Sequence, residues 1–320
     1  MVRFAARLLI VVGSTLILLP GVSRAQDGPY PSRTVTVVNP YQTISGAPDA
    51  LVRALLAALS EKLGQSFVIE HRPGADGAIG MASVAKAQPD GHTLAFANSS
   101  PIAVLPVVQK DLPYDSVRDF TPIVMIGRIE SVVIGSPSLA ARDFGEVIKL
   151  AREKPETVKY GVFGAAGRLI VARIEAATGA KFLVVPFKGS SQVITALLGG
   201  HIDVGGGAFP PPGTKVRVLA RNSARRSAQF PDIPATSEWA PGLESRAWVG
   251  FIGPAGIARP RVDLLHRELS AIARQPRMRE LFQAAYIEQA EISSQEFAEV
   301  IRTELQTYAE AARRVNVVMD

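Results

Sequence analysis

From Thr34 onward the chain alternates between two hydrophobic rhythms. Short β-branched runs recur, and between them lie longer stretches whose apolar residues fall three and four apart. The runs predict strands at Thr34–Val38, Ser66–Glu70, Thr93–Ala97, Ile123–Ile126, Val132–Gly135, Val158–Val162, Leu183–Pro186, Lys215–Ala220 and Trp248–Ile252. In the first helical stretch Val52, Leu55, Leu56, Leu59 and Leu63 share one face, and Gly64 ends it. Pro48 suits the start of that helix, and Asp49 in the first turn suits its dipole. Further helices are predicted in "IGMASVAKA", in "DFGEVIKLAREK" closed by Pro155, and in "SSQVITALLGG" closed by paired glycines. Near the end, Ser293 and Glu296 form a capping-box pattern ahead of Phe297, Ile301, Leu305 and Tyr308.

Strands alternating with helices predict an α/β protein whose sheets are parallel or mixed and flanked by helices. Ligands in such folds sit beyond the carboxyl ends of strands, beside helix N-termini. Three turns occupy that place: "YQTISGAPD" at 41–49, "ANSSP" at 97–101 and "GVFGAAGR" at 161–168. A helix entered through Ser45, Gly46 and Pro48 presents unpaired backbone N–H groups, which stabilise an anion but perform no bond chemistry.

The first 25 residues follow a different pattern. Arg3 and Arg7 precede an apolar stretch from Leu8 to Leu19, and Ser23-Arg24-Ala25 fits a cleavage site. The stretch is shorter than the roughly 20 residues a span needs, so it predicts a signal peptide, a mature chain starting at Gln26, and a periplasmic location. The chain has no cysteine, which removes disulfides, thiol nucleophiles and thiolate metal sites together. Removing Arg3, Arg7 and Arg24 leaves 32 basic against 29 acidic residues, a formal +3. Apart from "ARNSARR" at 220–226 the basic residues are scattered, so nucleic acid is not an expected partner.

Motifs of known chemistry are missing. His71, His92, His201 and His266 form no H-E-x-x-H pair, and there is no G-x-S-x-G elbow. "RPGADGAIG" at 72–80 follows a strand and opens a helix, yet its spacing is G-x-x-G-x-x-G, and it reads best as a tight turn. No catalytic residue, metal or cofactor is expected.

The order of "EKLGQSFVIEHRPGADGAIGMASVAKAQPDGHTLAFA", "KDLPYDSVRDFTPI", "VVPFKGSSQVITALLGGHIDV", "NSARRSAQFPDIPATSEWAPGLES" and "FIGPAGIARPRVDLLHREL" resembles the substrate-binding receptors of tripartite tricarboxylate transporters, the Bug-type family. The resemblance runs from about Tyr30 to the C-terminal helix. It implies a two-domain, type II-like periplasmic-binding-protein fold with a ligand cleft between the domains. Residues 26–128 with 247–320 are expected to form the first domain and 129–246 the second. It also implies a monomeric receptor that closes on a small organic carboxylate and delivers it to membrane permease subunits. A sensor that presents its solute to a signalling partner, and a divergent copy that binds weakly, are the alternatives.

The expected ligand loops depart from the family's pattern. The first usually reads P-F-x-P-G-G-x-x-D, whereas "PYQTISGAPD" is one residue longer, with Ser45 in place of a glycine and Gly46 and Asp49 retained. The second, "YGVFGAAGRL", is two residues shorter than Y-G-S-x-G-x-G-T-x-x-H, with Arg168 about where the histidine would be. "VGGGAFPPPGTK" replaces a longer segment, and Gly207 stands in an acidic position, which makes the cleft less negative. The resemblance thus selects Tyr41, Ser45, Gly46, Asp49, Asn98, Ser99, Ser100, Gly164, Ala165, Arg168 and Phe209 as ligand-binding candidates. Each also has a structural role open to it. Tyr41 can be a strand-end aromatic, Ser45 and Gly46 a helix cap, Asp49 a dipole partner, Asn98–Ser100 a turn, and Phe209 packing beneath the prolines.

Overall fold

The computed structural model describes residues 29–41, 47–211, 213–226, 230–244, 246–290 and 292–315. Two sheets organise the chain. The first uses β1 (Val35–Asn39), β2 (Phe67–His71), β3 (Thr93–Asn98), β4 (Phe120–Glu130), β10 (Arg246–Pro254) and β11 (Ile287–Gln289), in the order β11-β4-β10-β3-β1-β2. Strand β1 pairs in parallel with β2 and β3, whereas β10 runs antiparallel to β3 and β4. The second sheet uses β5 (Val132–Gly135), β6 (Lys159–Phe163), β7 (Leu183–Phe187), β8 (Val204–Gly207) and β9 (Arg217–Arg221), in the order β7-β6-β8-β5-β9. Here β6 is parallel to β7 and β8, and β5 is antiparallel to β8 and β9. The chain passes between the sheets twice, once through Ser131 and once between β9 and β10.

Helices cover both faces of each sheet, because strands buried on two sides must shed water from both. On one face of the first sheet lie α1 (Ala47–Leu63), α7 (Arg259–Ala273) and α8 (Pro276–Ala284), whose Leu51, Leu55, Leu59, Leu265 and Phe282 pack onto Val35, Val37 and Phe251. On the other lie α2 (Ala78–Ala85), a π-helical turn at Ser100–Val104, α3 (Leu105–Val108) and α9 (Ser294–Val315). Helix α9 starts as its capping box requires: Glu296 accepts from the Ser293 backbone N–H at 2.7 Å, and Ser293 Oγ accepts from the Glu296 N–H at 3.2 Å. Its Phe297 meets Trp248 edge to face at 4.8 Å, and neither is exposed. In the second sheet α4 (Phe144–Glu153) and α5 (Gly164–Thr178) cover one face and α6 (Ser190–Leu198) the other.

Helix α5 also belongs to the first unit's packing. Ala165 and Leu169 are buried in the same cluster as Val38, Ile102, Trp248 and Phe297. Helix α5 of the second sheet therefore packs into the first sheet's core, and a cavity remains beside the contact.

Two strands lie outside the predicted set, β8 and β11. "VGGG" has almost no side chains to carry a period, and "IEQ" is a three-residue edge strand held by Ile287–Gln289 pairing with Gly127–Ile129. Strand β4 is longer at both ends than the predicted Ile123–Ile126.

Candidate functional site

Between the sheets lies a cavity of about 540 Å³. It opens at the carboxyl ends of β1, β3 and β6, where Pro40 and Tyr41, Asn98–Ser100, and Phe163 and Gly164 line it. Both inter-sheet passages contribute, through Ile129, Ser131 and Ala247. Gly206 and Gly207 of β8 form part of the floor, and an ideal Cβ on Gly207 would sit 3.5 Å from the Phe163 ring. The glycine run missed as a strand thus provides the cavity's room.

One wall is a set of fixed hydrogen bonds. The Tyr41 hydroxyl donates to Asn98 Oδ1 at 3.2 Å, and the same oxygen accepts from the Ser100 N–H at 2.9 Å. Burial raises the Tyr41 phenol above its ordinary pKa, so it stays protonated and keeps donating. Beside it runs the loop Pro73–Gly77, in which Gly74, Ala75, Asp76 and Gly77 all have positive φ, at 133°, 46°, 51° and 99°. Two consecutive non-glycine residues in the left-handed region each cost about 1–2 kcal/mol. In sequence this segment looks like an ordinary tight turn; in the structure it is a wall of the cavity.

Opposite stands the start of α5. Gly164 adopts a φ of 65° that a side chain would resist, and an ideal Cβ there would lie 3.6 Å from Ser100 Oγ. The N-cap residue Phe163 supplies no side-chain hydrogen bond, so the first N–H groups of α5 lack that partner where Gly164, Ala166 and Gly167 line the space.

The predicted site residues separate into three groups. Tyr41, Asn98, Ser99, Ser100 and Gly164 line the cavity together. Ser45 and Gly46 lie outside the described residues. The other four are held elsewhere. Asp49 accepts from Arg53 Nε at 2.7 Å on the surface of α1, one helical turn apart. Ala165 is buried in the α5 contact. Arg168 reaches Asp76 at 3.7 Å, an ion pair tying α5 to the 74–77 loop rather than a lining residue. Phe209 stacks on Tyr286 at 4.7 Å and on Phe230 at 5.2 Å. Tyr160, Ser131 and Asn222 line the cavity and were not singled out from sequence, because a polar residue in or beside a strand looks like an ordinary core position.

The aromatic stack belongs to a second, more open groove of about 1180 Å³. Arg128, Arg221, Arg225, Arg226 and Arg279 line it, with Glu244 and Glu288. Several of these charges are already engaged. Arg226 makes a two-pronged pair with Glu238 at 2.8 and 2.9 Å, and Arg128 lies 3.8 Å from Glu304. Glu304 accepts from Trp248 Nε1 at 2.8 Å, and burial pushes its carboxyl up to about 7.

A family model described as a tripartite tricarboxylate transporter family receptor matches residues 51–317. The chain belongs to that family. The family consists of solute-binding receptors rather than enzymes, in agreement with the absence of catalytic motifs from the sequence reading. The receptor is 31% identical to a UPF0065 protein of Bordetella bronchiseptica, over 95% of this chain and 93% of that one. Its fold is similar to R. palustris Rpa4515 with adipate, at a TM-score of 0.84 and 29% identity, covering 90% of this chain and 99% of the other. The periplasmic binding protein BugD superposes with a TM-score of 0.83 at 25% identity, over 91% and 100% of the two chains. The two-domain α/β fold expected from the resemblance is therefore the receptor's fold.

Proposed function

We propose that the receptor works in the periplasm, encloses a small carboxylate solute in the cavity between its sheets, and hands it to the membrane subunits of a tripartite transporter. The domain boundaries in this reading fall at the two passages, near 129–131 and 246–247. The observation that carries it is the α5 terminus at the cavity, without a side-chain cap and facing the hydroxyl-rich β3 turn. Backbone N–H groups at a helix start attract an anion without a neighbouring cation. Ser100 adds a hydroxyl, and a carboxylate held by such donors makes charge-assisted hydrogen bonds worth about 1.5–3 kcal/mol each. The R. palustris relative with adipate supports the same solute class.

Arg168 acts at one remove in this reading. It fastens the 74–77 loop to α5 and so steadies two walls at once. The cavity joins residues of both sheets, and a solute touching both favours the closed arrangement. Calorimetry of the mature protein against mono-, di- and tricarboxylates tests the proposal. Saturable one-to-one binding of at least one is expected; failure of every carboxylate, with binding of a cation or a neutral sugar instead, would overturn it.

A further inference from the structure

Asn222 and Tyr160 line the cavity, are each only 1% exposed, and each carries a buried polar atom that has no hydrogen-bond partner among the described residues. On Asn222, Nδ2 donates to Ser131 Oγ at 2.7 Å and the backbone N–H donates to Ser131 O at 2.8 Å, leaving Oδ1 unengaged. The Tyr160 hydroxyl lies beside Gly206, where an ideal Cβ would approach it to 3.6 Å. Both groups therefore sit on the second sheet's side of the space, away from the β1 and β3 turns. Two buried polar atoms left bare beside one cavity are costly unless a bound group completes them.

The charges around this floor narrow what that group can be. Among the described lining residues only Asp76 and Lys188 are charged, and Asp76 faces Arg168 from the opposite wall. Arg221 immediately precedes Asn222 but lines the other groove, with its guanidinium carbon 5.7 Å from the Phe230 ring centroid. No guanidinium lines the floor, and Oδ1 is an acceptor that would repel a carboxylate. The Tyr160 phenol is held above its ordinary pKa by burial, so it remains a neutral donor.

We infer that the floor formed by Asn222 and Tyr160 recognises a neutral head that both donates and accepts a hydrogen bond, so that the solute is a monocarboxylate carrying a hydroxyl or a primary carboxamide at its far end. This inference rests on the carboxylate reading above and specifies its other end. The head donates to Asn222 Oδ1 and accepts from Tyr160 Oη, while the carboxylate takes the α5 terminus. Through Asn222 the head is coupled to Ser131, the residue at which the chain passes between sheets, so occupancy of the floor bears directly on that passage.

The test is a calorimetric series at fixed chain length: hexanoate, 6-hydroxyhexanoate, adipamate and adipate, with three- to eight-carbon homologues of each. The hydroxy and amide acids are expected to bind at least about tenfold more tightly than the matching diacid and the unsubstituted acid. Tyr160→Phe gives an independent readout. Removing an unpartnered buried hydroxyl should leave the melting temperature of the free protein unchanged or higher, while the hydroxy acid binds about five- to tenfold more weakly. A lower melting temperature of the free variant, with unchanged affinity, would make Tyr160 purely structural and overturn the inference. Tighter binding of the diacids, or equal binding of all four heads, would overturn it too while leaving the carboxylate reading in place. Binding by none of the acids would remove both.

Discussion

The cavity and the arginine groove straddle the same two sheets and are separated by a single peptide unit, since Arg221 lines one and Asn222 the other. They are built on opposite principles. The groove is rich in charge, and several of its charges are matched within the protein, as in the Arg226–Glu238 and Arg128–Glu304 pairs. The cavity is nearly neutral, glycine-floored and lined by polar atoms whose geometry is fixed in advance. If the cavity is the binding place, as proposed, formal charge is a poor guide to it in this molecule. An open surface of guanidinium groups remains hydrated, and exposed ion pairs contribute little. A partly buried space with oriented N–H and O–H groups attracts a carboxylate more strongly per contact.

The comparison breaks most visibly if the glycine floor of the cavity is given a negative charge. Gly207→Asp has ordinary van der Waals room for its Cβ and should fold, yet it places a carboxylate on the floor. Carboxylate binding at the α5 terminus should weaken by about 2 kcal/mol, the repulsion of unit charges roughly 8 Å apart at an effective dielectric of about 20. Calorimetry measures the loss, and unchanged affinity would mean the solute's charge lies outside the cavity.

The next effect belongs to the groove side. Glu304 is raised from 4.5 to about 7 by burial, so the folded protein holds its proton where the unfolded chain has lost it. Stability from this group is complete below about pH 4.5 and is lost as pH rises through 7, a total of up to about 3 kcal/mol. Glu304→Gln keeps an acceptor for Trp248 and should melt higher than the parent at pH 8 and about equally at pH 4.5. Thermal melts across that range check it, and solute affinity should not follow.

Phe209→Ala removes the ring between Phe230 and Tyr286 and should cost about 1–2 kcal/mol of stability. A melting-temperature drop with retained affinity keeps Phe209 in the groove; a tenfold loss of binding would return it to the cleft. The smallest effect is expected for Arg168→Ala. Its partner Asp76 is 3.7 Å away and both are partly exposed, so affinity should fall by no more than about 1 kcal/mol and the change should shrink in high salt. A loss of 1.5–3 kcal/mol would put the guanidinium on the solute itself.

Most of the architecture was legible in the sequence because its strands and helices carry side chains with a period. Val35 and Val37, or Leu55, Leu56 and Leu59, announce the face they bury. The site was legible only where it coincides with a strand-end turn, as at Asn98–Ser100. Gly206 and Gly207 contribute by having nothing to show, and the 74–77 loop by backbone angles that leave only glycines in the sequence as a trace. Asn222 and Tyr160 required the second sheet to be folded before their bare atoms shared a space. Arg168, the most conspicuous residue of the second loop, was drawn off by Asp76, whose position follows from that strained loop.

The 74–77 loop also bears on the rate of capture. Holding Ala75 and Asp76 at positive φ costs free energy that the surrounding fold must supply, and that cost is met when the chain folds. If the solute binds in the cavity as proposed, it meets a wall whose conformational cost was met on folding. Association should resemble a simple encounter with the open cleft, and differences in affinity among solutes should reside mainly in how long each one stays.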